Sequence, residues 1–153
     1  MILLLAFLIG LFAGLRSLTA PAATAWAAHL GWLKLEGPLS FIGSVPSVVV
    51  LTLLAVMELV IDKLPRAPNR TAALGLTARM VTGGVTGACV SVGGGRGALG
   101  GAALGALGGT VGCFAGYWAR TRLVKALATR DLYVALIEDI VAVGGSVWVV
   151  SRF

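Results

Sequence analysis

Residues 47–65 read SVVVLTLLAVMELVIDKLP, an apolar run that carries the carboxylates Glu58 and Asp62. A second run at 132–150, LYVALIEDIVAVGGSVWVV, carries an adjacent Glu-Asp pair. A carboxylate in hydrocarbon is costly unless it is paired or protonated, so it is rarely found there without a partner or a function. These four acids, of the six in the chain, are therefore the first candidates for a functional site.

The composition predicts an integral membrane protein. The 153 residues are 58% hydrophobic and 12% charged, whereas ordinary soluble domains carry about 25% charged residues. We expect an all-α protein in which residues 1–153 form a single polytopic membrane domain. The net charge is +6, but the basic residues flank apolar segments, so the expected partner is the lipid bilayer and not nucleic acid.

Hydropathy predicts about five transmembrane helices, since a span needs about 20 apolar residues. The segments run over about 2–30, 41–63, 73–92, 98–118 and 132–150. The first is long and is interrupted by Gly14, Arg16 and Pro21, so we expect it to be broken or partly re-entrant. Pro65 ends the second. Irregular backbone at membrane depth is tolerated only where protein or water lines it, so the break is itself a candidate site.

The distribution of Lys and Arg predicts the orientation. Eight Lys and Arg residues lie in or beside the two connections that share one side of the membrane, and three lie on the other side. The eight are Lys63, Arg66, Arg70, Arg79, Arg120, Arg122, Lys125 and Arg130, and the three are Lys34, Arg96 and Arg152. With five crossings, the positive-inside rule predicts a cytoplasmic N-terminus and an outside C-terminus in the inner (plasma) membrane.

The fourth segment carries glycines at helix-packing spacing. Gly97, Gly101, Gly105 and Gly109 recur every four residues, and Gly108, Gly112 and Gly116 continue the row. Small residues four positions apart let helix backbones approach closely. The row fits either tight packing within one subunit or the interface of a homo-oligomer, and we expect a homo-oligomer.

The charged residues are expected to meet at one depth. Glu58 and Asp62 are four residues apart and share a helical face. Glu58 and Glu138 each lie seven residues from a cytoplasmic boundary, which is about 10 Å at 1.5 Å per residue. Arg79 enters the third segment from the same side and, with Lys63, is a predicted counter-charge or solute contact.

Arg16 needs a partner because its guanidinium is not easily neutralised. It reaches the level of the acids only if the first segment bends back. Glu138 and Asp139 point about 100° apart on a helix, so one can face the cluster and the other a neighbouring helix. The similarity of Arg16-Ser-Leu-Thr to Arg79-Met-Val-Thr indicates a possible internal repeat.

Hydroxyl groups lie near both arginines. They could coordinate a solute, satisfy a broken backbone or bond to their own helix. These residues are Ser17, Thr19, Thr24, Thr82 and Thr86.

The chain resembles a family of small bacterial membrane proteins, the domain-of-unknown-function family 4126. The similar stretches are GLRSLTAP, ELVIDKLPRAPN, the Gly/Ala-rich fourth segment and ALIEDIVAVGG, which together cover nearly the whole chain. The resemblance implies a bacterial inner-membrane protein and supplies no established substrate. It points to Gly14, Arg16, Pro21, Glu58, Asp62, Lys63, Pro65, Glu138 and Asp139.

Two functions from different classes fit these residues. In the first, the protein is a transporter or channel for an ion or small charged solute, with or without coupling to protons, in which the acids bind a cation or carry protons. In the second, it is a non-transporting scaffold or a partner- or lipid-binding subunit whose ion pairs are structural. We do not expect an enzyme, a metal site or a cofactor, because the sequence offers no nucleophile–base pair and no ligand cluster.

Overall fold

The structure is a computed structural model that describes residues 1–62, 73–127 and 131–153. Within these residues every regular element is helical, which confirms the predicted all-α class. The elements are α1 (Ile2–Leu15), α2 (Thr19–His29), a 3-10 helix (Gly37–Gly43), α3 (Val45–Ile61), α4 (Ala73–Gly93), α5 (Ala98–Leu127) and α6 (Asp131–Val150).

The first segment is broken and re-entrant, as predicted. Arg16 has extended backbone angles (φ −138°, ψ 111°), and α2 begins three residues later. Ile2 packs against Gly94 and Leu33 packs against the neighbouring Gly93, so the chain returns to the end from which it started. We call α1 and α2 the hairpin, and Arg16, Ser17 and Leu18 the hairpin tip.

The arms of the hairpin are short. At 1.5 Å per residue, the 14 residues of α1 span about 21 Å and the 11 residues of α2 span about 16 Å, against a hydrocarbon core of about 30 Å. Pro21 lies in the first turn of α2, where a missing N–H leaves no helical bond unmade. The break therefore precedes Pro21 instead of being centred on it.

Among the described residues, fewer spans than the predicted five are long and apolar enough to cross a membrane. Three helices, α4, α5 and α6, are long and apolar enough to cross a membrane. The 3-10 helix and α3, which meet at a bend of 62°, form a fourth span if they are counted together. The difference arises because the first apolar segment turns back and adds no crossing.

The two chain termini lie at the same end of the bundle, whereas the five predicted crossings would place a cytoplasmic N-terminus and an outside C-terminus at opposite ends. Asp139 pairs with Arg16, while Gly145, further along α6, lies against Phe12, earlier in the chain. Helix α6 therefore runs antiparallel to α1 and ends near the level at which α1 begins. The count of Lys and Arg compares the connections that follow the first segment. It is the same whether the first segment crosses the membrane or turns back, so it cannot detect the hairpin.

The glycines of α5 pack against α1 and α4 of the same chain. A Cβ at Gly105 would lie 2.9 Å from Gly87 Cα, and a Cβ at Gly112 would lie 3.1 Å from Gly14 Cα. Similar close approaches involve Gly101, Gly109 and Gly116. Gly97 is different, since it precedes α5 and a Cβ there would meet nothing within 4 Å. Gly97 therefore takes no part in the packing within the chain, whereas the other glycines of the row do.

The hairpin lies inside the bundle. Ala6, Ile9 and Ala13 of α1 and Ala20 and Ala25 of α2 are fully buried. Helix α1 packs on α4, α5 and α6, and α2 packs on α3, α4 and α6. The hairpin tip is therefore enclosed by the longer helices.

Candidate functional site

The N-terminus of α2 is closed by Glu58 of α3. One carboxylate oxygen accepts hydrogen bonds from Ser17 N at 2.8 Å and Ser17 Oγ at 2.6 Å, and the other accepts one from Leu18 N at 2.8 Å. The first N–H groups of a helix have no partner within it, and negative charge is favourable there. Glu58 thus acts as a cap supplied by a different helix.

The C-terminus of α1 is closed by Arg79 of α4. Its Nε donates to the carbonyl oxygen of Gly14 at 3.0 Å, and its Nη1 donates to that of Gly75 at 3.0 Å. The last carbonyls of a helix lack internal partners and favour a cation. The prediction that Arg79 is a counter-charge to the acids is wrong within the described residues, where its hydrogen bonds go to carbonyls. A Cβ at Gly14 would lie 2.6 Å from Cys113 N, so a larger residue would displace this turn.

Arg16, at the hairpin tip, is fully buried and joins two further elements. Its Nη1 donates a hydrogen bond to Asp62, directly after α3, and its Nη2 lies 2.5 Å from Asp139 Oδ1 on α6. Buried ions are stable only when they are paired, and guanidinium geometry suits carboxylates. The bending back of the first segment is what brings Arg16 to this level.

Glu138 belongs to a second cluster. Its Oε2 lies 3.5 Å from Arg120 Nη1, and the Nε of Arg120 donates to Asp131 Oδ1 at 2.7 Å. Neighbouring Asp139 faces the hairpin tip, so the two adjacent acids point to different helices, as their 100° spacing predicts. The prediction that Glu138 joins Glu58 is wrong, because α6 presents Asp139 to the tip instead.

Sequence reasoning missed Arg120 as a member of a charged cluster and used it only to infer orientation. The available signal was its distance of 11 residues from Asp131 across a short connection, since antiparallel neighbours bring such ends together. Lys63 and Pro65, two other predicted site residues, lie outside the described residues.

The cluster at the hairpin tip lies inside the bundle and not at its ends. Arg79 is six residues beyond the start of α4 at Ala73, and Asp139 is eight beyond the start of α6 at Asp131. These separations correspond to about 9 and 12 Å along the helices. The tip therefore places irregular backbone, the three carboxylates of Glu58, Asp62 and Asp139, and two arginines at one depth.

Most of the hydroxyl groups near the tip bond to their own helices. Thr24, Thr82 and Thr86 each donate to the carbonyl four residues earlier, at 2.8–2.9 Å. Ser17 donates to Glu58 instead. Within the part of the chain that the structure describes, the buried Oγ1 of Thr19 has no hydrogen-bond partner.

The possible internal repeat does not extend to local structure. The chain breaks at Arg16, whereas Arg79 lies within the continuous helix α4. The two arginines also bind different groups, carboxylates in one case and carbonyls in the other.

The described residues contain no group of three or more His, Cys, Asp or Glu side chains that could hold a metal ion. What the tip offers chemically is a set of hydrogen-bond donors for an anionic oxygen, beside an arginine held between two carboxylates.

Comparison with known protein families gives one match. The family model described as Domain of unknown function (DUF4126) matches residues 3–151. Comparisons with curated proteins and with solved structures gave no match.

Proposed function

The chain belongs to the DUF4126 family, and because the description of that family assigns no function, we propose one from the geometry. The protein is a small membrane transporter or channel for an ion or a small charged solute, and the hairpin tip is its site. The observation that carries this proposal is the broken helix at the tip, whose backbone ends are held by Glu58 and Arg79.

A broken helix inside a bundle is typical of solute sites in transporters. Its ends present partial charges at membrane depth, positive at the start of one half and negative at the end of the other. Here the start of α2 and the end of α1 face the same tip, beside Arg16. A helix that only had to fill space would be continuous, because every break requires polar side chains to replace lost backbone bonds.

The proposal includes a role for protons. Glu58 holds the tip through hydrogen bonds that its carboxylate accepts. Protonation would remove the negative charge that makes these bonds strong and would release the tip. Proton binding and solute binding would then be linked at one side chain.

We further propose that the protein lies in the inner (plasma) membrane with its basic end in the cytoplasm. The described basic residues of that end are Arg79, Arg120, Arg122 and Lys125, and the positive-inside rule, applied to the eight Lys and Arg residues that the sequence groups on one side, assigns it to the cytoplasm. Both termini would then face outward, and the hairpin would enter from the outside. A homo-oligomer also remains a proposal, although the α5 glycines that suggested it are used within the chain.

Flux through liposomes that contain the purified protein tests the proposal. Protons, alkali cations, chloride and small carboxylates should be offered separately, with empty liposomes as the background. We expect flux of at least one solute above background, and a loss of at least tenfold in Asp139→Asn. An absence of flux for every solute, with folded protein in the membrane, would contradict the proposal.

A second candidate is a non-transporting scaffold, and one observation favours it. Glu58 and Arg79 both satisfy backbone groups at the hairpin tip, which is a structural task. On this account Arg16 and Asp139 only fix how the hairpin docks on α6. The swapped variant Arg16→Asp with Asp139→Arg would then restore both stability and partner binding, whereas a transport site would not recover.

A further inference from the structure

We propose that the N-terminus of α2 is an oxyanion-binding seat that Glu58 occupies from within the protein, and that the solute is a small carboxylate or an oxyanion of similar size. We define the anion seat as Ser17 N, Ser17 Oγ, Leu18 N and Thr19 Oγ1. This inference rests on the proposed function for transport, but binding to the seat can be measured without it.

Three donors of the anion seat already hold a carboxylate. Ser17 N and Leu18 N each lie 2.8 Å from an oxygen of Glu58, one N–H to each oxygen, and Ser17 Oγ lies 2.6 Å away. This is the arrangement by which helix N-termini bind carboxylates and phosphates in general. A free carboxylate could make the same three bonds.

The fourth donor is not used by Glu58. Thr19 is 6% exposed, and among the described residues its Oγ1 has no hydrogen-bond partner, unlike the hydroxyls of Thr24 and Thr86; the buried Ser146 Oγ of α6 is the other hydroxyl of this kind. Side chains on a helix lean toward its N-terminus, so that of Thr19, the first residue of α2, leans toward the seat. Buried hydroxyls are rarely left without a partner, so the vacant donor indicates a ligand that reaches further into the seat than Glu58 does.

Glu58 holds the seat through its carboxylate. It lies in the last turn of α3, and its hydrogen bonds to the seat are accepted by the two carboxylate oxygens, so their strength depends on the charge of that group. A protonated Glu58 competes poorly for donors that favour negative charge. An entering anion would therefore replace Glu58 when that side chain takes up a proton, and one proton would accompany one anion.

The experiment is chemical rescue in detergent. Glu58→Ala empties the seat, and formate, the smallest carboxylate, is the probe. We expect the variant to melt at a lower temperature than the wild type, and formate to raise its melting temperature saturably. Chloride at equal ionic strength should raise it less. Adding Thr19→Val to this variant should weaken formate binding, so that the formate concentration at half-saturation rises severalfold.

Asp139→Ala is the matched control, because it also removes a carboxylate from the tip but leaves the seat filled. Formate that stabilises Asp139→Ala as much as Glu58→Ala would overturn the proposal, and so would a Thr19→Val change without effect on half-saturation. If Glu58→Ala does not fold, Glu58→Gln serves, because its neutral amide holds the seat more weakly. Rescue without transport would refute only the proposed function, whereas transport without rescue would refute only the anion seat.

Discussion

The carboxylate of Glu58 accepts the backbone N–H of Ser17 at 2.8 Å, so a side chain of α3 caps a helix that begins inside the bundle. Arg79 performs the opposite task at the carbonyl of Gly14, 3.0 Å from its Nε. Two charged residues from two longer helices thus replace the backbone bonds that are lost where α1 ends and α2 begins.

The cap formed by Glu58 should contribute measurably to stability. Glu58→Ala leaves two backbone N–H groups without their acceptor, and hydrogen bonds to charged groups are worth about 1.5–3 kcal/mol each. We expect a fall of about 2–4 kcal/mol in the free energy of unfolding in detergent, since water partly replaces the lost bonds. Glu36→Ala removes an exposed carboxylate near the 3-10 helix and should change the free energy of unfolding by less than about 0.5 kcal/mol. Equal effects of the two changes would show that the cap is not formed.

Arg16 and Asp139 should be energetically coupled. Removing one partner of a buried ion pair leaves the other charge uncompensated and costs about 3–5 kcal/mol. We expect a double-mutant cycle of Arg16→Gln and Asp139→Asn to give a coupling of about 1–3 kcal/mol in the free energy of unfolding. A cycle of Arg16→Gln with Asp131→Asn, in the second cluster, is the control and should be additive. Additivity in both cycles would contradict the pairing at the tip.

The glycines of α5 should differ sharply in their tolerance of a side chain. Gly105→Ala places a Cβ against the backbone of Gly83 and Gly87, and overpacking of this kind costs about 1–3 kcal/mol. Gly97→Ala is the matched control, because a Cβ there meets nothing within 4 Å. Thermal unfolding in detergent measures both. A melting temperature lowered equally by the two changes would contradict the packing of α4 on α5.

The re-entrant hairpin should place both termini on one side of the membrane. We expect a cysteine in a short tag before Met1 and a cysteine at Ser151 to react alike with a membrane-impermeant maleimide in intact cells. Lys125→Cys, at the opposite end of the bundle, should react only after lysis. The native Cys89 and Cys113 are buried and should give little background. Labelling of Ser151→Cys but not of the N-terminal tag would show that α1 and α2 together cross the membrane once, and would contradict the re-entrant hairpin.

The sequence predicts the break but not the direction taken after it. Gly14, Arg16 and Pro21 interrupt an apolar segment too long for one upright span, which is enough to locate the irregular backbone. The return of α2 to the starting end depends on tertiary contacts of Ile2 and Leu33 with the connection after α4. Hydropathy contains no information on such contacts, and the predicted number of crossings was therefore too high.

The candidate site was predictable in its residues and less so in its pairs. The positions of Glu58, Asp62 and Asp139 in apolar sequence single them out, because each needs a partner there. The partner of Arg79 was not predictable, since a backbone carbonyl exposed by a helix break leaves no mark on the amino-acid composition. The ion pairs depend on the direction that the chain takes after the break at Arg16. The sequence locates this break but does not give that direction.

Flux through liposomes that contain Glu58→Gln, compared with Glu36→Gln, tests the central claim most directly. Both variants make the same chemical change, one at the hairpin tip and the other in an exposed connection. If the tip is the transport site, Glu58→Gln alters the flux of the transported solute at least tenfold and abolishes its dependence on pH, while Glu36→Gln matches the wild type. A demonstrated flux that both variants leave unchanged would contradict the account.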